Sequence, residues 1–207
     1  MAILGASGRL GKLLAEEAMD NEFDVNALVV NPKEITLTRY ELTIFEGNAE
    51  TGEGLRDAIK GCPYVVSAIG STKPIATQCM RNIIKVLEGS RSLKRFVYVS
   101  WVGAGDSQEQ AIQTSGALPK INRALHPSMF SDITNAETVL RSTKLPYVIL
   151  RPTRLTDGPR MDRVRTVPSD QPPPHRISRK DLARFIISKI EDPALTRQEL
   201  TVGAVDP

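Results

Sequence analysis

Cysteine and histidine are almost missing from this chain of 207 residues, which has two of each: Cys62, Cys79, His126 and His175. Such scarcity excludes a disulfide framework and any zinc site with recognisable ligand spacing, so no metal is expected. Two reduced thiols in a cytoplasmic protein is the plain expectation. Long apolar runs are also lacking: none approaches the length of a membrane-spanning helix, and no basic segment followed by an apolar stretch opens the chain. Charge of one sign is not in excess, with 27 Lys and Arg against 24 Asp and Glu, a net charge of +3. The two signs are interleaved, which leaves no electrostatic footprint for nucleic acid or an acidic membrane. Expected partners reduce to a small molecule and, at most, a second copy of the chain.

The hydrophobic share of 41% is ordinary for a globular α/β domain of this length. Apolar stretches at 2–4, 25–30, 42–45, 64–69, 96–99, 147–150 and 199–202 read as strands. Between them, Leu10, Leu13, Leu14 and Ala18 repeat at helical spacing. So do Leu55, Ala58 and Ile59; Met80, Ile83, Ile84 and Leu87; Ile133, Ala136, Val139 and Leu140; and Leu182, Phe185, Ile186 and Ile190. Gly89 stands where a helix C-terminal glycine belongs. Asp132 reads as the N-cap of a helix over 132–142, and Ser178 with Asp181 resembles a capping box. Periodicity blurs over 101–131, read mainly as loop with room for one helix. The proline-rich 169–176 reads as a stiff surface loop. Alternating strands and helices predict one α/β domain over 1–207: a doubly wound, mainly parallel, Rossmann-like sheet with helices on both faces.

GASGRLG, beginning at Gly5, follows the first strand and opens the first helix, the context that a dinucleotide fingerprint requires. Gly5 permits a tight exit, Gly8 lets the backbone approach a pyrophosphate, and Gly11 lets the helix sit close on the sheet. The N–H groups of Arg9 and Leu10 would then face phosphate from the positive helix end. An ATP-binding loop is excluded, since Leu13 follows Lys12 and Ala6 replaces the glycine that motif needs. The second strand ends in Val30-Asn31-Pro32-Lys33, with no acid for the NAD ribose and no arginine for a 2′-phosphate. Asn31 and Lys33 could serve either cofactor; Lys33 tips the balance narrowly toward NADP, although a solvated loop lysine explains it equally well.

GASGRLG, EGNAE (46–50), SAIGST (67–72), KRFVYVS (94–100), LPYVILRP (145–152) and HRISRKDLARF (175–185) occur in this order. Together they resemble the atypical short-chain dehydrogenase/reductase group, single-domain NAD(P)H-binding proteins similar to NmrA-like regulators and biliverdin-IXβ (flavin) reductase. The resemblance implies that Gly5, Ser7, Gly8, Arg9, Leu10 and Gly11 wrap the pyrophosphate. It places Asn48 beside the adenine, where the family has Asp, and Ala68, Ile69 and Gly70 along the ribose. Ser100 would face the nicotinamide as the one candidate catalytic residue, with Pro152 and Thr153 flanking the ring. Two departures stand out. Val30 replaces the family's strand-end arginine, and the first strand is short, as in a chain missing a few N-terminal residues.

The Tyr-x-x-x-Lys pair used by most short-chain dehydrogenases is absent: none of Tyr40, Tyr64, Tyr98 and Tyr147 has Lys four positions on. Tyr147 has Arg151 there, in a strand whose apolar neighbours predict burial. Relatives of the biliverdin-IXβ type also lack the pair and act by holding nicotinamide against a flat acceptor. The expectation is thus an NAD(P)H-dependent reductase of a flavin, quinone or similar acceptor. Its pocket would lie between 101–131 and 153–176, with Trp101 and Arg154 contacting substrate, Arg160 adding charge, and Met129 and Phe130 either lining it or filling core. A dinucleotide-sensing regulator and a redox-neutral enzyme on the same fold stay open as alternatives, as do monomer and homodimer.

Overall fold

The computed structural model describes residues 1–115, 127–168 and 170–205. In chain order it contains β1 (Ala2–Leu4), α1 (Arg9–Asp20), β2 (Val25–Val29), β3 (Leu42–Glu46), α2 (Leu55–Ile59), β4 (Tyr64–Ser67), α3 (Ala76–Leu87) and β5 (Arg95–Val99). There follow α4 (Gln108–Ser115), α5 (Pro127–Arg141), β6 (Tyr147–Pro152), β7 (Arg154–Thr156), β8 (Val164–Val167), β9 (Arg176–Ser178), α6 (Arg179–Lys189) and β10 (Gln198–Ala204). One sheet runs in the order β3-β2-β1-β4-β5-β6-β10-β9-β7, with β8 also paired to β10. From β3 to β10 every pairing along this path is parallel, whereas β8 and β9 lie antiparallel to β10. This is the Rossmann-like doubly wound sheet. Strand order reverses between β1 and β4, so a crevice opens at their C-terminal ends.

Side chains alternate across the sheet and sort into two cores. Ile3, Ala27, Val66, Val97 and Val148 meet Leu14, Ala18, Leu182 and Ile186 from α1 and α6. Ala2, Leu4, Leu28, Val65, Phe96 and Ile149 point the other way, against Leu55 of α2, Met80 and Ile83 of α3, and Leu140 of α5. Helices therefore cover both faces, and strands buried on both sides read as unbroken apolar runs.

Several details differ from the sequence expectation. The stretch 106–131 holds α4 and the start of α5 as well as loop, and its residues 116–126 lie outside the described ones. The short strands β7, β8 and β9 escape periodicity because three or four residues carry too little pattern. Gly89 does not adopt the left-handed conformation of a glycine cap; its N–H simply bonds Val86 O at 3.2 Å. Ser178 caps α6 as expected, accepting from Asp181 N–H. Asp181, however, accepts from the Ser178 hydroxyl and from the N–H groups of Met161 and Asp162, each at 2.9 Å for the backbone pair, and so fastens the 157–162 loop.

Asp132 is not the cap of its own helix. It lies inside α5, and its carboxylate accepts from Ala76 N–H at 2.6 Å and Thr77 N–H at 3.2 Å. Thr77 Oγ1 donates to Asp132 O at 2.9 Å. The residue at the N-cap of α3 is Ile75, which has no acceptor to offer. One helix thus supplies the other's cap, where the carboxylate also meets the positive helix end. Asp132→Ala should destabilise the protein by about 1–2 kcal/mol, seen as a lower urea midpoint with an unchanged denaturant slope.

Candidate functional site

The site begins at the turn between β1 and α1. Gly5, at φ 82°, donates to Leu28 O at 3.1 Å, and Gly8 N–H folds back to Gly5 O at 3.1 Å. A Cβ on Gly11 would stand 2.2 Å from Gly5 O, so only glycine lets α1 close on the strand. Gly8 is the N-cap of α1 and offers no side-chain bond, and the first turn carries no acid. The helix's leading N–H groups, Arg9 and Leu10 among them, therefore lack the capping that proteins normally supply. Donors arranged in this way fit a bound phosphate group. The Arg9 side chain turns away from the cradle, its Nη1 lying 3.2 Å from Asp157 on the loop after β7, which Arg179 also holds at 2.6 Å. Leu10 is buried against the sheet.

A cleft of about 260 Å³ continues from this turn. Gly5, Ser7 and Gly8 form one wall, Val29, Val30 and Asn48 another, and Ala68, Ile69 and Gly70 the third, with Cys79 at its base. None of its lining side chains is charged. Burial, with Glu50 and Asp132 nearby, pushes the Cys79 thiol up to about 11, so it stays protonated at neutral pH. Asn48 Oδ1 accepts from Glu50 N–H at 2.9 Å and shapes its own turn beside the cleft. Asn31 Oδ1 caps the short helical turn Pro32–Glu34 through Lys33 N–H. Asn31 and Lys33 are both exposed and do not line the cleft; Val30, 66% exposed, does.

Past Gly70 a narrow recess lined by Ile69, Tyr98, Val99, Trp101 and Ile133 extends toward the end of β5. Trp101 is half-exposed there and packs edge-on to Phe130 at 6.3 Å. Met129 and Phe130 are core residues. Burial, joined by the charges of Glu137 and Asp132, drives the Tyr98 phenol well above its usual range, so it is no proton source. Ser100 is buried and donates its hydroxyl to Glu137 at 2.6 Å. That commits its only proton, and toward any ligand Ser100 can act only as an acceptor. Pro152 and Thr153 end β6 and are buried; Thr153 Oγ1 has no hydrogen-bond partner among the described residues. Arg154 is exposed on the outermost strand.

Residues 5–193 match the NAD(P)H-binding family. The chain belongs to that family. A further likeness is to the Arabidopsis thaliana protein named probable pinoresinol-lariciresinol reductase 3, 24% identical over 96% of this chain; the chain spans 65% of that relative's length. Among solved structures, the anaerobilin reductase ChuY of Escherichia coli O157:H7 superposes with a TM-score of 0.82 at 22% identity, covering 100% of this chain and 98% of that one. A short-chain dehydrogenase/reductase (wide type) of Veillonella parvula, in complex with NADP, gives 0.75 at 24%, covering 98% and 93%. At these identities the structures establish the shared fold.

Within this NAD(P)H-binding chain the glycine turn, Asn48 and the 68–70 segment come together around one cleft, while Trp101 lines the recess beyond it and Ser100, next to it after β5, is buried and lines neither. Sequence reasoning missed the cluster beneath Ser100. Glu137 and Arg151 are fully buried and paired twice, Nε to Oε1 at 2.9 Å and Nη2 to Oε2 at 2.8 Å. Arg151 Nη2 also reaches Glu199, and Nη1 stands 2.9 Å from Asp106 as an ion pair. Arg141 bridges Glu137 and Glu199. The available signal was Glu137 lying on the apolar stripe of Ile133, Ala136 and Leu140, where a carboxylate needs a cation.

Glu137→Ala takes from the fully buried Arg151 its doubly bonded partner and should cost about 3–5 kcal/mol, against about 1–2 kcal/mol for Ser100→Ala, both read from denaturant unfolding. Burial pushes the Glu199 carboxyl up, but its bonds to Arg141 and the charges of Arg141 and Arg151 outweigh this and hold it below its usual value. The unfolded carboxylate titrates near about 4.3. Its contribution is therefore complete above that pH and lost as pH falls through the lower folded value. Glu199→Gln should flatten the acid limb of stability below about pH 4.3, measured by urea unfolding across pH.

Proposed function

We propose that the protein is an NAD(P)H-dependent oxidoreductase that passes hydride to a small planar acceptor, a flavin, quinone or similar carbonyl compound. The observation carrying this is the uncapped N-terminus of α1 opening into an uncharged cleft, with a recess beyond it that Trp101 lines. When bound, the reduced nicotinamide supplies the hydride. The chain's own groups do the rest. The N–H groups after Gly8 hold the pyrophosphate, and Ser7 and Gly11 complete the cradle. Ala68, Ile69 and Gly70 run along the ribose. Pro152 and Thr153 flank the nicotinamide ring, where the unpartnered Thr153 hydroxyl suits a hydrogen-bonding group of the ligand. Ser100 accepts a hydrogen bond and orients rather than protonates.

Tyr98 and Ser100 supply no proton, so acceptors whose reduced forms take protons from solvent suit the site best. The chemistry is positional. Trp101 offers a flat apolar face for the acceptor, and Arg154 a charge for an acidic one. NADP is preferred over NAD only narrowly, since neither acid nor base lines the cleft at Val30 and Lys33 is the nearest cation in sequence.

Purified protein should bind NADPH and NADH with affinities within about tenfold of each other. Val30→Arg should tighten NADPH about tenfold, a change of roughly 1.4 kcal/mol, and leave NADH nearly unchanged, as followed by cofactor fluorescence. Flavin or quinone should drive NADPH oxidation. Ser100→Ala should lower kcat by less than the roughly hundredfold loss of a true general acid, and Trp101→Ala should raise the acceptor KM. NADPH binding with no oxidation by any acceptor would favour a dinucleotide-sensing regulator instead.

A further inference from the structure

At the opposite end of the sheet from the cofactor cleft, where β4 and β5 begin, a groove of about 550 Å³ is lined by Arg56, Lys60, Lys85 and Arg91, with Ser90 and Ser92. We infer that this groove is a second ligand site, one that takes a small polyanion such as a polyphosphate group. It is larger than the cleft beside the glycine turn and falls in the roughly 300–1,000 Å³ range of small-molecule sites.

The charge pattern carries the inference. Several arginines elsewhere find carboxylates: Arg9 and Arg179 on Asp157, Arg39 on Asp20, Arg141 and Arg151 on Glu137, Arg184 on Asp162. Among the described residues, none of Arg56, Lys60, Lys85 and Arg91 makes a side-chain hydrogen bond or ion pair. The one acid in the lining, Asp57, bridges none of them. Four cations and one carboxylate leave a local surplus of three, equal to the net charge of +3 for the whole chain. Helix-end electrostatics account for Lys85 in the last turn of α3 and for Arg56 and Lys60 in the last turn and at the C-cap of α2, but not for Arg91 in the loop beyond, nor for the lack of carboxylates bonded to any of the four. Like charges gathered without counter-ions repel, and a multiply charged anion relieves that repulsion at several points at once. Ser90 and Ser92, whose hydroxyls lie 3.2 Å apart, add donors on the same rim.

The groove is separate from the cofactor cleft. Ile75 and Cys79, at the start of α3, line the cleft, whereas Lys85 and Val86, near its end, line the groove. A polyanion in the groove therefore does not displace cofactor, which distinguishes it from a phosphate caught by the glycine turn.

The test is calorimetric titration of the full chain with inorganic tripolyphosphate, without cofactor and with saturating NADPH. We expect one saturable site whose affinity is unchanged by NADPH and falls steeply with salt. The Lys85→Glu/Arg91→Glu double variant should weaken it more than tenfold while keeping NADPH binding and the melting temperature of the free protein. Lys85→Gln/Arg91→Gln, which removes charge without reversing it, should weaken it by an intermediate factor, and serves should the reversal unfold the chain. No saturable heat, displacement by NADPH, or equal binding by the variants would overturn the inference. So would capture of the protein by phosphatidylserine vesicles without tripolyphosphate binding. If the NADPH reading itself fails, the cofactor-free titration still decides this one.

Discussion

The buried pair of Arg151 and Glu137 is the interaction on which the working end of the sheet depends. A guanidinium with no exposed surface survives only if its charge is met and its donors are bonded, and removal of either partner leaves an isolated ion in the core. Here the charge is met from separated parts of the chain, and Nε and Nη2 are hydrogen-bonded: α5 gives Glu137, β10 gives Glu199, and the loop after β5 gives Asp106 as an ion pair to Nη1. Satisfying one side chain therefore fixes a helix, a strand end and a loop against β6. Gly105 in that loop has φ 57°, and a Cβ there would stand 2.6 Å from the Glu137 carboxylate. The backbone has closed over the pair as tightly as a chain can.

This arrangement explains the character of the proposed site. Ser100 looks like a catalytic hydroxyl by position, yet its proton belongs to Glu137. Its chemistry follows from the ion pair beneath it. The cleft beside it is neutral, and the charges around Arg9, Asp157 and Arg179 lie outside the cradle. An uncharged cleft with uncapped helix donors at one end, leading to a recess with Trp101 and Lys73 at the other, favours holding flat molecules in register. It provides little for moving protons.

Much of this was legible in the sequence, for reasons that are physical. The glycine turn declares itself because Gly5 and Gly11 are demanded by backbone geometry. The parallel strands declare themselves because burial on both faces leaves unbroken apolar runs such as YVIL before Arg151. What was not legible depends on distance across the fold. Asp132 looks like a local cap, since its sequence neighbours cannot reveal that a different helix needs it more. Asn31 and Lys33 sit at the expected sequence position, but a capping bond to Lys33 N–H turns the asparagine to local use. Glu137 and Arg151 are 14 residues apart and on different elements; only the fold makes them partners.

The position of β10 has a further consequence for how the chain is made. This last strand, 198–204, inserts between β6 and β9 and brings Glu199 to Arg151. During synthesis the β6 edge stays open until residues 198–204 have left the ribosome, with Arg151 short of one counter-ion and an apolar strand edge unpaired. Such an edge is a template for wrong partners. The nascent protein is thus exposed to aggregation from the time β6 is made until β10 follows it, and residues 198–204 act as the clasp that ends that exposure.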